Sequence, residues 1–267
     1  MVFPLLVICD VGPDPDDMKA LLLAAVLHRL RECRLTIVAN GGQQPRERAK
    51  LALCVLDRLG ISDVAVGVGS QGKAYVAKPH EYRLDGYERT SDSRLVEDGD
   101  ALILSVLRAA RAKTVRVVCI SSLRDIANAL SAQPNLVLAK VRVLAIQGGL
   151  ERDEHGAWRP DQAVNNGFDP EAADRVYRFC FERGLPLNVV SRFAVPVLPM
   201  QVRDSVLAPP TQRRSSARAR TRVSRPAHAR RVRRSAAARQ ELRHAHELPG
   251  DALLGRRAIS WPRGSMA

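Results

Sequence analysis

The sequence predicts an α/β protein, a doubly wound and mostly parallel sheet flanked by helices, followed by a disordered or irregular basic tail. Three observations predict it. Six short runs rich in Val, Ile and Leu recur through the first 190 residues with little polar alternation, as strands buried on both faces of a parallel sheet require. Helical patterns separate them, and strict alternation of strand and helix gives this architecture. From about Pro209 the apolar periodicity stops and arginine dominates, a composition that cannot bury a face.

The elements follow in order. An apolar run reaching Cys9 supplies the first strand, Leu5–Cys9. Four carboxylates, Asp10, Asp14, Asp16 and Asp17, form a turn behind it, and a nearly all-apolar segment from Met18 reads as a buried helix. Leu35–Ala39 is the second strand. Pro45 opens a helix running to about Leu59, with Gly60 as its stop. Val64–Val68 is the third strand. Ser70 to Gly99 has little periodicity, and a loop of that length is usually functional or disordered. Asp98 or Asp100 starts a helix through Ala112, and Val115–Ile120 is the next strand. Leu123 to Leu130 reads as a shorter helix, Val141–Ile146 as a strand, and Glu151–Gly167 as a polar connection. Asp169 to Gly184 has an acidic start, basic residues late and Gly past its end, which suits the helix dipole. Leu187–Val190 closes the series.

Length and composition allow one large domain or two small ones with a sizeable core. No apolar run is long enough to span a membrane, and Asp10 interrupts the N-terminal run before it reaches signal-peptide length. A soluble, intracellular and cytoplasmic protein without a membrane partner is expected. The five cysteines are scattered without a CxxC pair, so buried reduced thiols are expected. The net charge of +14 is unevenly placed: residues 211–267 hold fifteen arginines and three acids, leaving +2 on residues 1–210.

The acidic turn is where chemistry is expected. Four like charges within eight residues repel, each close pair by roughly a few kcal/mol at an effective dielectric near 20. Capping of the next helix explains one or two acids. A magnesium phosphotransfer site is a second reading, since Asp14 and Asp16 form a DxD pair, although no Ser or Thr follows for a phosphate. A calcium site of hard oxygen ligands, to which a sugar diol adds its own oxygens, is the third.

The segment DVGPDPDDMKALLL resembles the DxDPGxDDAxALL signature of the inosine-uridine preferring nucleoside hydrolases. Further similarities come in the family's order. LTIVANGG is similar to its second-strand motif, VRVVCISSLRDIANAL to LGPLTNLALAL, VRVLAIQGG to the strand ending in Met-Gly-Gly, and QAVNNGFDPEAADRV to AEFNxxxDPEAA. The resemblance covers about residues 3–195. It implies the Rossmann-like nucleoside hydrolase fold and hydrolysis of a nucleoside's N-ribosidic bond, with Ca2+ holding the attacking water and an aspartate taking its proton. Asp17 falls on a calcium ligand, Asp16 on a ribose contact, Asp10 on the first Asp of the signature and Asn165 on a second ribose contact. Asn40, in a swapped Gly-Asn pair, is a further ribose candidate. The signature's middle Asp, a metal ligand and base, is Gly12 here, and Asp14 is the compensating candidate for both roles. The backbone carbonyl of Arg124 occupies the place of another calcium ligand. The Glu of the EFN motif is Ala163, and the family's late His-Asp pair has no counterpart.

Two domains are therefore expected, a nucleoside hydrolase-like domain over 1–208 and an Arg-rich tail over 209–267. The tail has two explanations: a phosphate-binding segment for nucleic acid, or a frame-shifted reading of GC-rich coding sequence, which gives just such a lysine-free tail. A nucleoside is the expected partner, and a homo-oligomer stays open. The rival readings are a relative that keeps the fold without the chemistry, and a nucleic-acid-binding protein acting through its tail.

Overall fold

The computed structural model describes residues 2–12, 14–41, 43–72, 82–87 and 92–194. The chain divides into two compact units, Met1–Val195 and Pro196–Ala267, and only the first is described. The expected tail, residues 209–267, lies outside the described residues.

The elements are β1 (Phe3–Cys9), α1 (Pro15–Arg29), β2 (Cys33–Gly41), α2 (Pro45–Arg58), β3 (Ala65–Gln71), β4 (Leu95–Val96), α3 (Gly99–Ala109), β5 (Val115–Cys119), α4 (Arg124–Ala132), α5 (Pro134–Lys140) and β6 (Val141–Gln147). They continue with β7 (Leu150–Arg152), β8 (Trp158–Pro160), α6 (Val164–Gly167), α7 (Pro170–Arg183), β9 (Leu187–Val190) and a 3₁₀ turn at Arg192–Ala194. Seven strands form one parallel sheet in the order β4-β3-β2-β1-β5-β6-β9. The chain winds outward from β1 to β4, then returns to the other side of β1 with β5. That reversal between β1 and β5 is the switch point where open parallel sheets leave a crevice at their carboxyl ends.

Local chemistry sets the helix ends. Asp98 caps α3 by accepting from the Ala101 N–H at 2.8 Å, and Asp169 caps α7 by accepting from Ala172 at 3.2 Å. Proline opens α1, α2, α5 and α7, where its missing N–H has no intrahelical partner to lose. Gly184 ends α7 at φ +65°, a left-handed conformation that a Cβ disfavours.

The sheet carries two apolar layers. Leu6, Ile8, Val117, Leu144 and Ile146 pack on one face with Ile103 of α3, Ile126 of α4 and Val176 of α7. Val7, Cys9, Leu35 and Ile37 pack on the other face with Leu21 of α1 and Leu53 and Leu56 of α2. All five cysteines are free thiols and four are buried.

Five features differ from the sequence reading. The first helix is not wholly buried: Leu21, Ala24 and Ala25 face the sheet, while Leu22, Leu23, Val26 and Leu30 are exposed. A run without polar alternation hides which face is covered. Strands β5 and β6 alternate between buried and more exposed positions, and β9, at the edge of the sheet, has no buried position. The unpatterned 70–99 segment contributes β4, and the polar connection folds into the antiparallel β7–β8 hairpin. Asp153 shapes that hairpin's turn by accepting from the N–H groups of His155 and Ala157 at 3.0 and 2.8 Å. A short helix, α5, begins at Pro134 where the sequence suggested no element.

Candidate active site

A pocket of about 800 Å³ opens at the carboxyl ends of β1, β5, β6 and β9. Asp10 follows β1, Ile120 follows β5, Gln147 ends β6 and Val190 ends β9, and all four line it. Asp14, Asp16 and Asp17 enter from the turn into α1, and Asn165 from α6. Five of the candidate residues, separated by up to 155 positions, thus line one cavity. Asn40 and Arg124, the other two candidates, are not among the lining residues.

Hydrogen bonds fix the acidic turn. Asp17 is buried, and its Oδ1 accepts from the Asp10 backbone N–H at 3.1 Å. Asp16 Oδ1 accepts from the Asp17 N–H at 3.0 Å, and its Oδ2 accepts from Gln147 Nε2 at 2.9 Å. Asp14 sits at the N-cap position of α1, yet its side chain makes no capping bond. Capping alone therefore does not account for the cluster. Asn165 Nδ2 donates to the carbonyls of Ile120 and Gln147, both at 3.0 Å.

The electrostatics are those of crowded acids. Burial, then the charges of Asp10 and Asp16, push the Asp17 carboxyl up to about 8. Asp10 is raised chiefly by burial, which the Arg48 guanidinium partly offsets. Asp14 is raised by partial burial and by Asp16. Burial would raise Asp16 as well, but hydrogen bonds from Gln147 and the Asp17 N–H carry it below the ordinary value. One turn thus holds a carboxyl poised to ionise beside another that stays charged, the disparity that marks functional sites.

Arg48 is the residue the sequence reading missed. Its side chain is 3% exposed, and its guanidinium donates to the Asp10 carbonyl, to the Val11 carbonyl at 3.3 Å and to the Gln43 carbonyl at 3.3 Å. It lies 4.0 Å from the Asp10 carboxylate and lines the pocket. Gly41, at φ +129°, makes room for it: a Cβ there would stand 2.8 Å from Asp10 Cβ and 3.0 Å from Arg48 Nε. A signal was present, since Arg48 shares the helical spacing of buried Leu51, Ala52 and Val55. An arginine on a core-facing stripe calls for a buried partner.

The two remaining candidates are held by hydrogen bonds among the strand ends. Asn40 is fully buried, and its Nδ2 donates to the Ser122 carbonyl at 2.9 Å and to Asp125. Asp125 also accepts from the Ser70 N–H at 2.6 Å, and burial raises its carboxyl to about 6. Arg124 opens α4, and its side chain joins Asp169 at 3.3 Å and the Gln71 carbonyl at 2.7 Å. The ends of β3 and the starts of α4 and α7 are thereby tied together.

The donors suit a hard divalent cation in kind: they are carboxylate oxygens, and Asp10, Asp14, Asp16 and Asp17 line one pocket. Among the described residues, no three His, Cys, Asp or Glu side chains stand together in a ready-made metal cage. Gly12 occupies the place where the signature has an acid.

Comparison with known proteins identifies the family and the fold. The family model described as inosine-uridine preferring nucleoside hydrolase matches residues 6–247. The pyrimidine-specific ribonucleoside hydrolase RihA of Shewanella sp. (strain MR-7) is 31% identical over 190 residues, covering 68% of this chain and 57% of that protein. An uncharacterized protein of Schizosaccharomyces pombe is 28% identical over 189 residues, covering 68% of this chain and 59% of that protein. The chain therefore spans somewhat under three fifths of these relatives. Among solved structures, the type III effector protein XopQ complexed with adenosine diphosphate ribose aligns with a TM-score of 0.61 at 28% identity, covering 72% of this chain and 57% of that one. The inosine-uridine preferring nucleoside hydrolase from Bacillus anthracis aligns with a TM-score of 0.59 at 19% identity, covering 80% of this chain and 72% of that one, and shows the shared fold. Nucleoside hydrolases are generally metal-dependent, and among the described residues no helix is long and apolar enough to cross a membrane. With its acidic turn, parallel sheet and matched length, the chain belongs to the inosine-uridine preferring nucleoside hydrolase family.

Proposed function

We propose that this protein hydrolyses the N-glycosidic bond of ribonucleosides to ribose and free base, with calcium as its ion. The observation that carries the reading is the meeting of Asp10, Asp14, Asp16, Asp17 and Asn165 in one pocket at the switch point of the sheet. Asp10 and Asp17 would hold the ion, with Asp14 as the third acid in place of Gly12. Bound calcium supplies a polarised water at neutral pH.

The chain's own residues supply the rest. Asp10, raised by burial, is suited to take the water's proton, and Asp14 is the second candidate base. Asp16, held ionised by Gln147 and the Asp17 N–H, accepts from a ribose hydroxyl. Asn165 spends its Nδ2 on two carbonyls, so its Oδ1 is the atom offered to the sugar. Asp16 and Asp10 also stabilise positive charge as the ribosyl group takes on oxocarbenium character. Ile120, Phe168 and Val190 give the pocket apolar wall for a base. Asn40, whose buried Oδ1 has no hydrogen-bond partner among the described residues, stays the further ribose candidate, and the backbone carbonyl of Arg124 the further candidate for the ion.

The test is release of reducing sugar from purine and pyrimidine nucleosides, with and without a chelator. Chelator-sensitive turnover supports the reading. A second reading is a relative that binds a ribosyl ligand without turnover. Gly12 and Ala163 favour it, as does the adenosine diphosphate ribose bound by the effector XopQ. Nucleoside binding with no sugar released would select it.

A cytoplasmic location is part of the same proposal. For residues 209–267 we propose a frame-shifted reading over a nucleic-acid-binding segment. An uninterrupted frame in the gene, together with loss of nucleic-acid binding on deleting 211–267, would reverse that order.

A further inference from the structure

We propose that Gln147 is a specificity-determining residue, whose side-chain amide and the Asp16 carboxylate act as one unit that reads a vicinal diol on the ligand's sugar. The inference rests on the nucleoside reading above, because it needs the sugar to reach the acidic turn.

The backbone of Gln147 is held on all sides. It pairs with Val190 of β9, and its carbonyl accepts from Asn165 Nδ2 at 3.0 Å. The next two residues leave no slack. A Cβ on Gly148 would stand 2.7 Å from Tyr177 Oη and 2.9 Å from Asn166 Oδ1, and one on Gly149 would stand 2.0 Å from Asp161 Oδ2. From this fixed base the side chain crosses to an acid 131 positions away in sequence, Nε2 lying 2.9 Å from Asp16 Oδ2. The other Asp16 oxygen is held by the Asp17 N–H at 3.0 Å. Both residues line the pocket.

A primary amide has two N–H donors and one acceptor oxygen, and a carboxylate only accepts. One donor of Gln147 orients Asp16, so the pair offers the pocket carboxylate lone pairs, a second N–H and an amide oxygen. A vicinal diol has two hydroxyls, each both donor and acceptor, and can satisfy both halves at once. A sugar lacking one hydroxyl satisfies only one half and leaves the other dry. The motif that this strand end resembles has methionine here, which offers no N–H. Diol reading through an amide is therefore this chain's own feature.

The test is calorimetric binding of ribose and of 2-deoxyribose to the full chain in calcium, for the wild type and Gln147→Met. The wild type is expected to prefer ribose. Gln147→Met is expected to lose about three- to tenfold of that preference, the worth of one net hydrogen bond, with thermal stability retained, a change in sugar selectivity that a merely structural role would not give. A Gln147→Met protein with the wild-type sugar preference overturns the proposal. Equal binding of the two sugars by the wild type overturns this inference alone; no sugar binding at all overturns the hydrolase reading with it.

Discussion

The backbone N–H of Asp10, just past the end of β1, donates to Asp17 Oδ1, in the first turn of α1, across 3.1 Å. This bond ties the strand to the helix and orients the carboxylate most crowded by its neighbours. Asp17→Asn keeps an acceptor for the Asp10 N–H and removes the side chain's capacity to ionise. The expected outcome is loss of calcium binding by at least about tenfold, with the melting temperature unchanged or raised as repulsion is relieved. Titration calorimetry against calcium decides it, and an unchanged Kd would remove Asp17 from the ion site.

Calcium itself should stabilise the folded chain. At a concentration a hundredfold above Kd, linkage gives about 2.7 kcal/mol, or roughly 5–10 °C for a domain of this size. Differential scanning calorimetry with calcium and then with excess chelator measures the shift. The same experiment on Asp17→Asn should show none.

Arg48 offsets the Asp10 charge from a position almost sealed from water. Arg48→Met leaves that carboxylate and the carbonyls of Asp10, Val11 and Gln43 without the donor they now share. A loss of about 3–5 kcal/mol is expected, as when one partner of a buried ion pair is removed. Urea unfolding measures it, and a cost below about 1 kcal/mol would mean that the guanidinium is replaceable by solvent.

Asp125 gives the folded protein a pH dependence of its own. Burial raises its carboxyl to about 6, above the ordinary value of about 3.9 for an unfolded chain. Between these values the native state holds a proton that the unfolded state has released, so stability falls as pH rises from about 4 to 6 and levels off above. The contribution is on the order of 2–3 kcal/mol. Comparing the pH slope of unfolding free energy with that of Asp125→Asn isolates it. Identical slopes would show that the proton is held elsewhere.

The two faces of α1 should respond oppositely to substitution. Leu21 is fully buried against the sheet and Leu23 is 62% exposed. Leu21→Ala is expected to cost about 2–5 kcal/mol, and Leu23→Glu within about 0.5 kcal/mol of nothing. Chemical denaturation of both variants measures the contrast.

The elements most legible in the sequence were those whose signal is local. Pro45 at the head of α2, Asp98 and Asp169 as caps, and Gly184 behind α7 each act within one turn of chain, so their spacing announces them. The apolar runs marked the sheet's main strands for the same reason. Strand β4, two residues long, and the β7–β8 hairpin were not legible, because a strand that short is defined by its partner. The exposed face of α1 was hidden as well, since Leu22 and Leu21 look alike until the sheet covers one of them.

By itself the sequence determined that four acids follow the first strand and that the surrounding motifs come in a known order, because covalent order and local propensity are written residue by residue. The tertiary structure alone decided which side chains meet. It brought Gln147 onto Asp16, seated Arg48 beside Asp10, and kept Asn40 and Arg124 outside the pocket lining. These are contacts between distant segments, fixed by sheet order and by the direction in which each strand end points, and no window along the chain contains them.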